Sequence, residues 1–137
     1  MKPSLAGSRG LPTGSRVSIL CVDDEHLLLA TLEAAFTAAG FVVATADNGF
    51  NALQKIAKNP QAFKALVTDL RMPGVDGFGL IEKSRLAGYA GPIIVYAASI
   101  TAEARQQLED MRVQRIIEKP ARSSDLIAAV RESLAAA

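Results

Sequence analysis

Residues 17–24 read Val17-Ser18-Ile19-Leu20-Cys21-Val22-Asp23-Asp24, an apolar run that ends in two carboxylates. A short run of this kind predicts a buried strand. The pattern recurs, because Asp69 closes the run at 65–68 and Lys119 follows the run at 115–118. Segments with apolar residues at helical spacing lie between these runs. The alternation predicts an α/β domain with a parallel sheet and helices on both faces.

Element boundaries follow from Gly, Pro and Asp-Asn-Gly signals between the periodic segments. The predicted strands span about 17–22, 41–46, 64–68, 93–97 and 114–118. The predicted helices span about 25–39, 50–58, 76–87, 101–110 and 122–135. The fourth helix is the weakest prediction, since Leu108 and Met111 are the only large apolar residues of 101–112.

Length and composition limit the possible classes of protein. The chain has 137 residues, which favours one domain, and its first 16, MKPSLAGSRGLPTGSR, are typical of a disordered tail. Residues 17–137 then form the domain, and they hold 12 basic and 14 acidic side chains, which argues against nucleic-acid binding. No apolar stretch is long enough to insert into a membrane, and no signal peptide is evident, so we expect a cytoplasmic protein. The single cysteine, Cys21, is expected in the core.

Four charged residues stand where predicted strands end: Asp23, Asp24, Asp69 and Lys119. Carboxyl ends of parallel strands share one edge of a sheet, where ligands of open α/β sheets bind. Clustered carboxylates repel each other unless a cation joins them, and hard oxygen ligands suit Mg²⁺. A lysine beside them suits a phosphoryl oxygen. The pattern predicts metal-assisted phosphoryl transfer onto a carboxylate.

Each of these residues also has a structural interpretation. Asp23 and Asp24 would cap the first helix, Asp69 would belong to a turn, and Lys119 would be a solvated strand end. Taken singly, each of these interpretations is favoured. Together they require independent coincidences on successive strand ends of one alternating chain, so we prefer the shared site.

The chain resembles the receiver domain of two-component response regulators from residue 17 to about 136. The resemblance lies in Val22-Asp23-Asp24-Glu25, in Asp69-Leu70-Arg71-Met72-Pro73-Gly74-Val75-Asp76-Gly77, and in Lys119-Pro120. It implies a flavodoxin-like (βα)5 fold with strand order 2-1-3-4-5. It also implies that Asp69 accepts a phosphoryl group from a sensor histidine kinase or a histidine phosphotransfer protein.

The same resemblance implies roles for the other site residues. Mg²⁺ would be held by Asp24, Asp69 and the backbone carbonyl of Arg71, with Asp23 acting largely through water. Lys119 would contact a phosphoryl oxygen.

Two positions depart from the family pattern. Receivers usually carry Thr or Ser where this chain has Ala97, and Tyr or Phe where it has Ile116. In the family, the hydroxyl binds the phosphoryl group and the aromatic ring swings inward, which changes the face formed by the fourth helix, the fifth strand and the fifth helix. Ser99 could replace the hydroxyl only if its loop folds back toward the site.

The expected function is that of a stand-alone receiver that signals by protein contact and is not a turnover enzyme. The downstream partner cannot be identified from the sequence. The alternative is a receiver-like adaptor that binds proteins without switching, which Ala97 and Ile116 favour and the complete acid set opposes. An FMN-binding flavodoxin is disfavoured because Asp23, Asp24 and Glu25 would repel its phosphate. An aspartyl-phosphate hydrolase is disfavoured because the first strand lacks that family's D-x-D arrangement.

Overall fold

A computed structural model describes residues 17–136, so the predicted tail at 1–16 lies outside the described residues. The strands are β1 (Ser18–Val22), β2 (Val42–Ala46), β3 (Ala65–Thr68), β4 (Ile93–Ala97) and β5 (Arg115–Glu118). The helices are α1 (His26–Ala38), α2 (Gly49–Lys58), α3 (Gly77–Leu86), α4 (Ala102–Asp110) and α5 (Ser123–Ala136). The predicted alternation is confirmed, and no predicted boundary differs from the observed one by more than a residue.

The five strands form one parallel sheet in the order β2-β1-β3-β4-β5. This confirms the flavodoxin-like prediction. Val22 pairs in register with Thr68, Thr68 with Val95, and Ala97 with Glu118. The carboxyl ends of β1, β3, β4 and β5 therefore meet along one edge of the sheet.

Two apolar clusters cover the two faces of the sheet. Helices α2, α3 and α4 contribute Ile56, Leu80 and Leu108 to one cluster, and α1 and α5 contribute Phe36 and Val130 to the other. Alternate residues of each strand enter opposite clusters, as the pleat requires. The sheet is thus buried on both faces, which explains its almost uninterrupted apolar strands.

One side of α1 packs its apolar side chains against the sheet. The buried side chains are Leu29, Leu32 and Phe36, and partly buried Leu28 packs against the same cluster. The weakly predicted α4 does form. Thr101 caps it by accepting a hydrogen bond from the Ala104 N–H at 3.0 Å, and fully buried Leu108 anchors it to the sheet.

The loop between β3 and α3 packs closely against its neighbours. A Cβ atom on Gly77 would clash with the Asp69 carbonyl oxygen, and one on Gly49 would clash with the Val75 carbonyl oxygen. Asp76 caps α3 through a hydrogen bond to its Oδ1 from the Gly79 N–H at 2.9 Å. The Asp-Gly pair that ends the characteristic motif therefore serves close packing and helix initiation.

Candidate functional site

Backbone hydrogen bonds place three charged residues at the carboxyl edge of the sheet. The Asp69 N–H donates to the Val22 carbonyl at 3.0 Å, and the Lys119 N–H donates to the Ala97 carbonyl at 2.8 Å. The Asp23 N–H donates to the Ala46 carbonyl at 3.2 Å. Each bond extends the sheet ladder by one residue, which brings the three side chains together as the sequence predicted.

The ammonium group of Lys119 lies between two carboxylates. Its Nζ is 2.9 Å from Asp23 Oδ2 and 3.3 Å from Asp69 Oδ2. The exposed fractions are 16% for the Lys119 side chain, 2% for Asp23 and 11% for Asp69. Burial acts to lower the pKa of Lys119, but hydrogen bonds and charge from Asp23 and Asp69 outweigh burial and raise that pKa above its ordinary value. Lys119 is therefore a permanent cation at neutral pH.

The two buried carboxylates are also oriented by backbone donors. Asp69 Oδ1 accepts from the Leu70 N–H at 2.7 Å, and Asp23 Oδ1 accepts from the Glu25 N–H at 2.9 Å. Glu25 is the N-cap of α1 and makes no side-chain capping bond. Helix capping alone therefore does not account for Asp23, because its other oxygen forms an ion pair with Lys119. Lys119 is largely buried, so it is not a solvated strand end.

The arrangement of the acidic residues is compatible with a divalent cation. Asp23, Asp24 and Asp69 each offer a carboxylate oxygen, and these oxygens lie within 4.8 Å of one another. Asp24 is exposed, and the pocket above the cluster has a volume of about 330 Å³, which leaves room for water. Hard oxygen donors with retained water fit Mg²⁺. Arg71 lines the same pocket, and the role of its carbonyl as a ligand stays a prediction.

The two atypical positions lie on the α4 side of the sheet. Ala97 is fully buried in the apolar cluster that contains Leu108, and partly buried Ile116 packs against that cluster. Ser99 is exposed, with φ of 53°, and its carbonyl accepts a hydrogen bond from Arg71 Nη2 at 3.4 Å. Ser99 does not line the pocket, so in this structure the loop does not bring a replacement hydroxyl to the site.

Three residues around the site were not among the predicted site residues. Glu25 and Ala98 line the pocket, and the Tyr96 ring lies 5.5 Å from Lys119 Nζ. Glu25 could have been found from its position beside the acid pair. Tyr96 packs on the α1 and α5 face of β4, and its contact with Lys119 depends on tertiary placement and has no local signal.

The histidine next to the acid pair belongs to a different surface. His26 begins α1, its side chain is exposed, and its Nε2 lies 3.1 Å from Asp47 Oδ2. The pair lines a groove of about 700 Å³ between α1 and α2 rather than the acidic pocket.

Comparisons with known proteins agree with this geometry. The family model described as response regulator receiver domain matches residues 19–131. The transcriptional regulatory protein PrrA of Mycobacterium tuberculosis is 31% identical over 116 residues, which cover 85% of this chain and 49% of PrrA. The sensor histidine kinase RcsC of Salmonella typhimurium is 29% identical over 124 residues, which cover 85% of this chain and 13% of RcsC. The chain thus spans half or less of the length of these relatives.

Solved structures share the fold. A CheY-like receiver domain protein from Methanospirillum hungatei superposes with a TM-score of 0.84 at 24% identity, covering 89% of this chain and 96% of that one. The chemotaxis protein CheY4 of Vibrio cholerae gives a TM-score of 0.80 at 23% identity, covering 87% of this chain and 99% of that one. On this fold and on the match of the family model across most of its length, the chain belongs to the response regulator receiver domain family.

Proposed function

We propose that this protein is a phosphoacceptor receiver in which Asp69 takes a phosphoryl group from a sensor histidine kinase or a histidine phosphotransfer protein. The observation that carries the proposal is the position of Lys119. Its ammonium lies 3.3 Å from Asp69 Oδ2 and 2.9 Å from Asp23 Oδ2 beside an open pocket. Asp69 supplies a carboxylate that can accept the phosphoryl group, and the Lys119 cation attracts an anionic phosphodonor. The open pocket leaves room for the donor to approach.

The reaction would form a bond between a carboxylate oxygen of Asp69 and phosphorus, while the bond from phosphorus to the donor's leaving group breaks. The Leu70 N–H holds Oδ1 at 2.7 Å, which orients the other oxygen, Oδ2, toward Lys119. Lys119 would move its contact from the carboxylate to a phosphoryl oxygen. Mg²⁺, when held by Asp23, Asp24, Asp69 and the Arg71 carbonyl, would supply positive charge for the transferring oxygens.

The product would remain on the protein, so we propose a signalling protein rather than a turnover enzyme. The signal would pass by contact with another protein. We also propose that it acts in the cytoplasm, where it would meet its phosphodonor. Within residues 17–136, no helix has the length and apolar character that crossing a membrane requires.

A second candidate function is an adaptor that binds proteins without switching. The observation that favours it is the apolar cluster around Ala97 and Ile116, where receivers usually place a hydroxyl and an aromatic ring. Such an adaptor would keep the acidic pocket and would bind its partner equally well with and without phosphorylation. Partner binding measured on both forms of the protein separates the two functions.

The proposed function is tested by phosphorylation with acetyl phosphate. Intact mass spectrometry of the wild type in Mg²⁺ should show the addition of one phosphoryl group, and excess EDTA should prevent it. Asp69→Asn should add none. Asp76→Asn is the matched control, because asparagine also caps helices and Asp76 lies in the same loop, so this variant should be labelled like the wild type. Undiminished labelling of Asp69→Asn would refute the assignment.

A further inference from the structure

Tyr96 forms a direct link between β4 and the lysine of the site. It precedes Ala97, and its side chain enters the cluster on the α1 and α5 face. Tyr96 is 4% exposed, and the centroid of its ring lies 5.5 Å from Lys119 Nζ. This distance is within the range of a cation–π contact. The ammonium is thus held by two carboxylates and, in addition, by an aromatic ring.

The hydroxyl of Tyr96 makes a second link, to the loop between β5 and α5. It donates to the Ala121 carbonyl at 3.3 Å and accepts from the Ala121 N–H at 3.2 Å. One hydroxyl therefore satisfies both backbone groups of a residue that lies two positions after Lys119. The ring contacts the lysine head group while the hydroxyl restrains the loop that carries the lysine.

Among residues 17–136, those on the opposite face of β4 form an apolar cluster. Ala97 belongs to that cluster and Ile116 packs against it, and neither side chain has a polar atom that could hydrogen-bond to a phosphoryl group at Asp69. Any displacement of the ammonium toward a phosphoryl oxygen changes its distance from the Tyr96 ring. Because the same ring is tied to Ala121, the loop after β5 is the segment that such a displacement reaches.

We propose that Tyr96 is a positioning residue for Lys119, and that it transmits the state of the acceptor site to Ala121 on the α1 and α5 face. This inference rests on the proposed function, because Lys119 matters to the signal only if Asp69 is phosphorylated. Tyr96 acts through the lysine and does not itself touch the reacting atoms.

The test is a double-mutant cycle on the rate of phosphorylation by acetyl phosphate. Tyr96→Leu removes both ring and hydroxyl and should slow phosphorylation about three- to tenfold, the range of a partly desolvated cation–π contact. In a Lys119→Ala background, the same substitution should change the rate by less than about twofold, since no ammonium remains to be positioned. A general packing defect would slow both backgrounds equally.

Tyr96→Phe separates the two links and guards against a folding defect in the leucine variant. The ring is retained, so Tyr96→Phe should slow phosphorylation less than Tyr96→Leu does. The Ala121 amide loses its acceptor, so its NMR shift on adding beryllofluoride, a phosphoryl mimic, should fall to less than half of the wild-type shift. Thermal unfolding of each variant establishes that it is folded.

The outcomes separate the inference from the proposed function. A wild type that takes up no phosphate refutes both. The positioning role alone is refuted if the wild type is phosphorylated but Tyr96→Leu does not slow phosphorylation. It is also refuted if Tyr96→Leu slows phosphorylation equally in the wild type and in Lys119→Ala. An Ala121 shift that survives in Tyr96→Phe refutes transmission through the hydroxyl.

Discussion

Replacing Lys119 with methionine should destabilise the protein, because it leaves a buried carboxylate without its cation. Asp23 is 2% exposed, and its remaining hydrogen bond comes from the Glu25 N–H. Removing one partner of a fully buried pair costs about 3–5 kcal/mol. Water reaches Lys119, whose side chain is 16% exposed, and will offset part of that cost. We expect a loss of about 2–4 kcal/mol in the free energy of unfolding.

Urea unfolding at neutral pH without divalent metal measures this loss in the free energy of unfolding. In thermal unfolding under the same conditions, the melting temperature should fall by about 8–16 °C. The control is the double variant Asp23→Asn with Lys119→Met, which removes the stranded charge and should recover more than half of the loss. Added Mg²⁺ should also restore stability to the single variant, because a bound cation stabilises the folded state. A loss below about 1 kcal/mol, or no recovery in the double variant, would contradict the argument that the pair is buried and coupled.

Three further predictions follow from the same structure. Mg²⁺ should raise the melting temperature of the wild type and of Asp47→Asn, an acidic-residue control outside the site, but not that of Asp24→Ala; an equal rise in all three would argue against the site. Beryllofluoride should shift NMR signals across residues 100–120 less in the wild type than in Ala97→Thr, since a hydroxyl bonded to a charged phosphoryl oxygen contributes about 1.5–3 kcal/mol; equal shifts would show that the missing hydroxyl is unimportant. Burial raises the pKa of Cys21 to about 12, so its stabilising contribution is complete below pH 9 and declines as the pH rises through 9 to 12, where the unfolded thiol ionises first. Relative to Cys21→Ala, the wild type should lose about 1.4 kcal/mol between pH 7 and pH 10 in chemical unfolding, and parallel pH profiles would refute this.

Much of the fold could be predicted because each strand is a short apolar run that ends at a turn signal. The convergence of Asp23, Asp69 and Lys119 followed from one rule of parallel sheets, and the structure confirms their proximity. The assignment of Asp69 as acceptor and of Arg71 as a metal ligand stays a prediction. These roles depend on a phosphodonor and a cation.

The parts that could not be predicted depend on tertiary placement. On α1, Leu29 is buried and Leu28 is partly buried, because the docking of the helix on the sheet sets its rotation and the local spacing permits either side chain to point inward. The contact between Tyr96 and Lys119 joins residues at the ends of two neighbouring strands. It also depends on the conformation of the loop that carries Ala121, which no local sequence pattern specifies. Ser99 is exposed, has a positive φ and lies outside the pocket lining, so it does not supply the missing hydroxyl in this structure.

The most direct measurement of the central claim is chemical trapping of the acyl phosphate. Protein treated with acetyl phosphate and Mg²⁺ would be reduced with borohydride, which converts an aspartyl phosphate to homoserine, and then digested and sequenced by mass spectrometry. Homoserine is expected at position 69 and at no other aspartate, and none is expected when EDTA is present during the acetyl phosphate treatment. Homoserine at Asp23, Asp24 or Asp76, or its absence from position 69 in a protein that has gained a phosphoryl group, would contradict the claim.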